Sequence, residues 1–381
     1  MRKLQHISAL YYLNYSFALL PLMKQLLPLL LLLGLRAAAQ APAQSAAELV
    51  RAGVALHDAG RYDEAIARYQ QALQADPTNA TARAELALTY NAAGRYAEAV
   101  QLCQQLIKEN PQAGPNVYAS LGNSLDSAKQ PKEALDAYRQ GIRQFPASYN
   151  LHFNAGVTQM GLDDLPGATA SFERAAQLNP HHASSHMLLG AVQLQQGQRI
   201  PGLLALARFL VLEPASPRSA QRRQWLDQAM TLGVTQQSSN QITISLPAGS
   251  LKKKAGTKGD DFGPEEMLLS VAAATNLTTA SVLDSLGVPN TPVNRFIKQF
   301  SSLCSVLGER AGQAGHGFTR SYYAPYFVAL EKKGFVPAFA YLVHSSQADA
   351  PEVQQWLGAH PNEVQAFREW SKTYEWPPVS K

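Results

Sequence analysis

The residues of this chain best suited to metal chemistry are three histidines in one short segment. His182 and His186 stand four residues apart, a spacing that brings two side chains to one face of a helix, and His181 precedes them. A zinc site needs a third protein ligand and, for hydrolysis, a general base. The chain has no H-E-x-x-H pattern to supply these groups. The sequence therefore favours packed histidines beside a polar turn, and we expect neither a metal nor another cofactor.

Motifs for nucleotide binding and nucleophilic catalysis are also missing. Residues 249–261 (GSLKKKAGTKGDD) resemble a phosphate loop only superficially, because Gly249 and Gly256 are seven residues apart and no Gly-Lys-Ser/Thr occurs. There is no G-x-S-x-G elbow, and neither cysteine has a histidine motif beside it. We therefore expect a protein that is not an enzyme. An enzymatic site built from scattered C-terminal side chains remains the alternative, and the candidates are His316, Arg320, Tyr322 and His344.

The N-terminal segment has the features of a signal peptide. Residues 26–35 (LLPLLLLLGL) are almost entirely apolar, which fits a signal-peptide core and falls short of the ~20 residues that span a bilayer. Small residues follow and place cleavage after Ala39, while translation can begin at Met1 or Met23. The alternative is an uncleaved anchor, but Lys24 and Gln25 interrupt the apolar run. We expect residues 1–39 to be removed and the protein to be exported, either periplasmic or extracellular, contacting the membrane only during export.

Charge and composition exclude several classes of protein. Hydrophobic residues make up 46% of the chain and charged residues 16%, a balance typical of a folded protein. Of the 33 basic residues, four precede Glu48, whereas none of the 28 acidic residues does, so a chain that begins at Gln40 carries a net charge of about +1 rather than +5. The only dense basic run is 252–254, within a predicted linker. A nucleic-acid-binding protein needs a basic face, and we expect no nucleic-acid partner.

A repeat of 34 residues organises the middle of the chain. The tetrapeptide Ala-Gly-Arg-Tyr occurs at 59–62 and again at 93–96. Prolines recur at the same interval, with one spacing of 35: Pro77, Pro111, Pro146, Pro180 and Pro214. Because a proline lacks an N–H group and disfavours helix in the residue before it, each one is expected to close a helix. The spacing thus predicts five units of two helices each.

Small and aromatic residues fall at fixed positions within each unit. The first helix carries Gly53, Gly122, Gly156 or Gly190 where two helices are expected to cross, and the second helix carries an aromatic residue such as Tyr69. This pattern, with the closing proline, resembles the tetratricopeptide repeat family. The resemblance implies an all-α fold in which five helix-turn-helix repeats form a right-handed solenoid, completed by a capping helix over residues 216–232. The fifth unit departs from the pattern, with Gly202, Leu206 and Phe209 at slots for Ala, an aromatic residue and Ala.

Composition changes after the predicted capping helix. Residues 235–264 are predicted to form a linker with one lone strand at 242–246, and helical periodicity returns from Glu265. The resulting domains are a signal peptide (1–39), the solenoid with its capping helix (46–234), the linker and a helical C-terminal domain (265–381) of unrecognised family. The many aromatic residues of that last domain are expected to form its core.

The resemblance also implies a binding site, since the first helices of successive tetratricopeptide repeats line a concave groove that holds peptides. Amide side chains can pair with a peptide backbone, and Phe and Met can accept apolar side chains. The residues predicted to face the groove are Asn91, Asn116, Asn123, Asn150, Phe153, Met160 and Met187. A solvated face with scattered amides is the alternative. We expect an exported scaffold or adaptor with a protein or peptide partner; the competing hypothesis is an enzyme or small-ligand receptor whose site lies in the C-terminal domain.

Overall fold

The computed structural model describes residues 44–238, 241–245, 261–278, 290–310, 317–346 and 350–378. The predicted signal peptide and most of the predicted linker lie outside these residues. The described part of the chain divides into two compact units, with the boundary between Ala93 and Gly94. Ten helices form the repeats: α1 (Ala46–Asp58), α2 (Tyr62–Ala75), α3 (Ala80–Ala92), α4 (Tyr96–Glu109), α5 (Pro115–Ser127), α6 (Pro131–Gln144), α7 (Tyr149–Gly161), α8 (Leu165–Leu178), α9 (Ala183–Gln195) and α10 (Arg199–Leu212).

The boundaries of the repeats follow from local backbone chemistry. Every second helix (α2, α4, α6, α8 and α10) ends two residues before one of the five periodic prolines. The turn between the two helices of each repeat contains one residue with positive φ, and these residues also recur at intervals of 34 or 35: Gly60, Gly94, Lys129, Asp163 and Gly197. Glycine adopts this conformation without strain, whereas Lys129 and Asp163 do so at a cost. The prediction of five helix-turn-helix repeats in an all-α fold is confirmed.

The small residues of the repeats lie where helices cross. A Cβ atom added to Gly53 would lie 2.5 Å from the ring of Tyr69, and one added to Gly122 would lie 2.3 Å from the ring of Tyr138. In the fifth repeat, the side chain of Leu206 takes the place of the ring over Gly190. In repeats one, three and four the aromatic residue of the second helix therefore packs on the glycine of its own repeat, and the fifth repeat keeps the predicted register with a leucine in the place of the ring.

The first unit contains α1, α2 and α3. Helix α2 packs against both α1 and α3. At the start of α1, the Ser45 side chain accepts a hydrogen bond from the Glu48 N–H while the Glu48 carboxylate accepts one from the Ser45 N–H. This reciprocal pair satisfies two backbone donors that a helix N-terminus leaves without partners. Between α1 and α3, the Nδ1 atom of His57 lies 2.8 Å from the Thr89 hydroxyl.

The second unit continues past the repeats into further helices and one small sheet. Helix α11 (Ser219–Thr231) follows α10 and packs on it, as the predicted capping helix should. Strands β1 (Val234–Ser238) and β2 (Gln241–Ile244) pair antiparallel, so the strand predicted to be lone has a partner. The remaining helices are α12 (Gly263–Thr278), α13 (Pro292–Glu309), α14 (Phe318–Lys332), α15 (Val336–Val343), α16 (Pro351–Ala359) and α17 (Pro361–Thr373).

One continuous hydrophobic core joins the last repeats to these C-terminal helices. It runs from Phe172 in α8 through α10 to Phe367 in α17. Helix α10 is at its centre, because every residue from Arg199 to Leu210 is buried and α11, α14 and α15 all pack on it. A helix that is apolar on all sides must be covered on all sides. The C-terminal helices supply that cover, and their tyrosines and phenylalanines are largely core residues.

Candidate protein-binding face

The first helices of repeats three and four, α5 and α7, are joined by side-chain hydrogen bonds. The Asn123 Oδ1 atom accepts from the Tyr138 hydroxyl at 2.6 Å and from the Asn154 amide at 3.0 Å. One turn further on, the Thr158 hydroxyl donates to the Asp126 carboxylate at 3.0 Å. These bonds hold α5 and α7 in one fixed arrangement.

The hydrogen bonds of the Asn123 side chain to other described residues use its oxygen. Among the described residues, none accepts a hydrogen bond from its NH2 group, and the side chain is only half-buried. Asn116 and Asn150, the second residues of α5 and α7, are exposed. An amide group whose donors point to solvent can bond the carbonyl groups of an extended peptide.

An apolar stripe runs along α7 beside these amides. Phe153, Val157 and Met160 follow one another at intervals of four and three residues, which places them on one face of the helix, and all three are half-buried. The Phe153 ring is fixed at its inner edge, with ring centroids 5.8 Å from Phe172 and 4.8 Å from His182. The term binding face is used below for Asn116, Asn123, Asn150, Phe153, Val157 and Met160.

Two of the residues predicted for the groove lie apart from this binding face. Asn91 is half-buried at the end of α3 in the first unit. Met187 is 8% exposed and belongs to the hydrophobic core on α9, so its side chain is taken up by packing and does not face a groove. The other five predicted residues lie on α5 and α7 in the second unit. That they bind a partner stays a prediction.

The three histidines considered as metal ligands have separate environments. His186 is fully buried; its Nδ1 accepts from the Tyr323 hydroxyl at 2.6 Å and its Nε2–H donates to the Pro180 carbonyl at 3.0 Å. Burial lowers the pKa of His186 to about 3, so the ring is neutral, and with the proton on Nε2 the Nδ1 atom is an acceptor. His182 pairs instead with the Ser185 hydroxyl at 2.8 Å, and His181 is exposed. Both ring nitrogens of His186 thus have protein partners.

Two buried arginines on α10 were not predicted from the sequence. The Arg199 guanidinium donates to the carbonyls of Ala229 and Met230 at the end of α11 and to the Ser270 hydroxyl, and it lies 3.3 Å from the Glu266 carboxylate. Burial lowers the pKa of Arg199 and raises that of Glu266, which shows that desolvation outweighs their attraction. The pair fastens α12 to the last repeat.

The second arginine, Arg208, has aromatic rather than carboxylate partners. It donates to the Ser371 hydroxyl at 2.9 Å and to the Pro180 carbonyl at 3.2 Å. Its guanidinium carbon lies 5.1 Å from the ring centre of Tyr326 and 4.9 Å from that of Trp376. Such cation–π contacts are worth about 2 kcal/mol or more when desolvated. The sequence signal for both arginines is their place in an otherwise apolar helix, where a charged side chain needs a buried partner.

Comparison with known families identifies the repeats. The profile of the tetratricopeptide repeat family matches residues 56–123. This segment carries tetratricopeptide repeats. The match begins in the first repeat and ends in the first helix of the third, and the 34-residue spacing extends the same pattern through five repeats. No match to the chain is found among curated proteins.

Solved tetratricopeptide-repeat proteins are similar to part of the chain. A thermophilic protein of this class from Thermus thermophilus is 22% identical, covers 49% of this chain and 99% of its own, and gives a TM-score of 0.41. MamA from Desulfovibrio magneticus RS-1 is 19% identical over 45% of this chain and 97% of its own, with a TM-score of 0.38. YrrB, described as having an unusual peptide-binding site, is 22% identical over 45% and 87%, with a TM-score of 0.34.

No helix within the described residues has the length and apolar character needed to cross a membrane. The described part of the chain also contains no group of three His, Cys, Asp or Glu side chains placed as metal ligands are.

Proposed function

We propose that this protein is an exported adaptor that binds an extended peptide segment of another protein on the binding face of repeats three and four. The observation that carries the proposal is the half-buried stripe Phe153–Val157–Met160 beside the amide of Asn123. Tetratricopeptide repeats are interaction modules, and this face combines hydrogen-bond donors for a peptide backbone with apolar contacts for its side chains. Export is proposed on the strength of the N-terminal segment alone.

The arrangement of the face favours an extended ligand with an apolar side chain. Asn116 and Asn150 lie in the first turns of α5 and α7, and Asn123 lies two turns beyond Asn116. A peptide that follows these amides meets Phe153, whose ring is already held by Phe172 and His182. A preorganised aromatic side chain costs little conformational entropy on binding. On the core side of the same helices, Gly122 packs against the ring of Tyr138 and Gly156 against the ring of Phe172.

Peptide selection followed by titration tests the proposal. Peptides are selected from a random display library on the chain from Gln40 to Lys381, and a labelled peptide is titrated against variants by fluorescence anisotropy. We expect Asn150→Ala and Met160→Ser each to weaken binding by about five- to thirtyfold, as truncating an interface hot spot of about 1–2 kcal/mol does. The matched control is Gln140→Ala, on the exposed side of α6. Binding that survives both face variants unchanged would refute the proposed site.

Export has its own test. The mature protein is recovered from the native host, and its N-terminal residue is identified by mass spectrometry. We expect Gln40 to be the first residue. An N-terminus at Met1 or Met23 in a soluble cell fraction would contradict export.

A further inference from the structure

A small cleft between the end of α13 and one face of α14 has no role in the proposed adaptor function. Its volume is about 280 Å³, near the lower limit of small-ligand pockets. The lining residues combine apolar and basic side chains: Leu307, Arg310, Arg320, Ala324, Pro325, Val328, Ala329 and Lys332. Those on α14 recur at helical intervals and therefore share one face of that helix.

The wall of the cleft is apolar and built from small residues. Leu307 and Ala324 are buried, whereas Val328 and Ala329 are half-buried and have part of their surface in the cleft. The two alanines on α14 leave the space that a larger side chain would fill. An alkyl chain or a small ring can displace water from this wall at a gain of roughly 25 cal/mol for each Å² of apolar surface buried.

The charged residues that line the cleft all have the same sign. They are Arg310, Arg320 and Lys332, and no carboxylate of the described residues belongs to the lining. The carboxylate of Glu265 holds Arg320 in place, with 2.7 Å between Oε1 and Nη2. The ring of Phe262 lies 4.5 Å from the same guanidinium. These two contacts fix the position of the Arg320 guanidinium at the cleft.

Of the three basic residues that line the cleft, Arg310 best indicates which ligand the cleft binds. Its side chain is only 21% exposed, yet the nearest carboxylate oxygens, of Asp261 and Glu265, are both 3.8 Å away. These ion pairs of the two Nη atoms are longer than hydrogen bonds, and the buried Nε atom has no hydrogen-bond partner among the described residues. A largely buried polar group without such a bond costs free energy. A planar oxyanion is the partner that fits a guanidinium fork.

A purely structural explanation accounts for only part of this arrangement. Arg310 and Lys332 lie at the C-terminal ends of α13 and α14, where a positive charge interacts favourably with the helix dipole. An exposed lysine such as Lys332 needs no further explanation. The helix dipole does not explain why this guanidinium is largely buried next to an open apolar cleft with an Nε atom that has no hydrogen-bond partner among the described residues.

We propose that this cleft binds a small monocarboxylate with an apolar body, whose carboxylate pairs with Arg310 and whose apolar part lies on Leu307, Ala324 and Val328. The cleft and the binding face use no residue in common, so each proposal can fail without the other.

Calorimetric titration of the chain from Gln40 to Lys381 tests the proposal with octanoate, octylamine and inorganic phosphate as probes. We expect octanoate to bind at one site and octylamine and phosphate to bind at least tenfold more weakly. In Arg310→Gln, octanoate binding should weaken by about tenfold or more, because a charge-assisted hydrogen bond is lost. The matched control is Lys333→Gln, which removes the charge next to Lys332 at a position outside the cleft and should leave binding unchanged.

Three results would overturn this assignment. Octylamine binding as tight as that of octanoate would show an apolar site without charge selection. Equal binding of phosphate would show that the apolar wall contributes nothing. Undiminished octanoate affinity in a folded Arg310→Gln variant would remove the assigned partner. If that variant does not fold, Arg310→Lys replaces it, and we then expect a smaller but measurable loss of affinity because the charge remains while the planar fork is lost; unchanged affinity there would likewise refute the proposal.

Discussion

The buried histidine that joins the fifth repeat to α14 should make the second unit sensitive to mild acid. His186 is neutral in the folded protein because burial lowers its pKa to about 3, whereas an unfolded chain gives histidine its ordinary pKa of about 6.5. Between pH 6.5 and pH 3, His186 therefore binds a proton in the unfolded state but not in the folded state. Stability from this group is complete above pH 6.5 and is lost as the pH falls from there toward 3.

The two pKa values set the size of the effect. At pH 5 the unfolded histidine is almost fully protonated and the folded one is not, so linkage gives a loss of about 2 kcal/mol relative to pH 7. In His186→Gln the side chain can still donate to the Pro180 carbonyl and accept from the Tyr323 hydroxyl, but it cannot take up a proton. The variant should therefore lack this part of the pH dependence.

Urea unfolding at pH 7 and pH 5 measures the difference. All four tryptophans lie in the second unit, so their fluorescence reports the unfolding of the part that contains His186. Carboxylates and the neighbouring histidines titrate in both proteins, and their contributions cancel when the two pH dependences are subtracted. We expect the wild type to lose about 2 kcal/mol more than the variant between these pH values. Equal losses would refute the assignment of a neutral, buried His186.

Three further substitutions test the repeats and the buried ion pair. Gly122→Ala places a methyl group 2.3 Å from the ring of Tyr138 and should lower the free energy of unfolding by about 1–3 kcal/mol. The control Gly161→Ala, whose methyl group meets no atom within 4 Å, should not destabilise the fold. Similar losses in the two variants would contradict the crossing geometry. Lys129→Gly relieves a positive φ of 65° and should raise the free energy of unfolding by up to about 1 kcal/mol, seen as a slightly higher melting temperature; a decrease would argue against the turn. Arg199→Ala leaves a buried carboxylate without its cation and should cost about 3–5 kcal/mol in urea unfolding, so a near-neutral effect would show that the pair is open to water.

The positions of most residues of the binding face could be predicted from the sequence, because they depend only on the repeat period and on helical geometry. Once the 34-residue period fixes the register, helical geometry decides which side of α5 or α7 a residue occupies, and Asn116, Asn150, Phe153 and Met160 follow from it. Met187 on α9 stands one repeat, or 34 residues, after Phe153, but its side chain is buried in the core. The two positions differ in burial because the core of the last repeats extends into the C-terminal helices. The 34-residue period carries no information about those helices.

The sequence of helix α10 indicates that the core extends beyond the repeats. Its sequence, RIPGLLALARFLVL, has no polar face, so a position at the exposed end of a stack would leave apolar surface in water. Its departures from the repeat pattern are of the kind that a terminal repeat shows. They also reflect burial on every side, with Leu206 over Gly190 within the repeat and α14 and α15 against the rest of the helix.

The sequence by itself determined the helical hairpins, their boundaries and their register, because these depend on interactions within about 34 residues: a proline after each second helix, a left-handed residue in each turn and a glycine beneath an aromatic ring. Only the tertiary structure decided what joins residues far apart in the chain. The contact of His186 with Tyr323 spans 137 residues and that of Arg208 with Ser371 spans 163. Such pairs have no spacing rule, since they form wherever packing of the whole chain leaves a buried polar group in need of a partner.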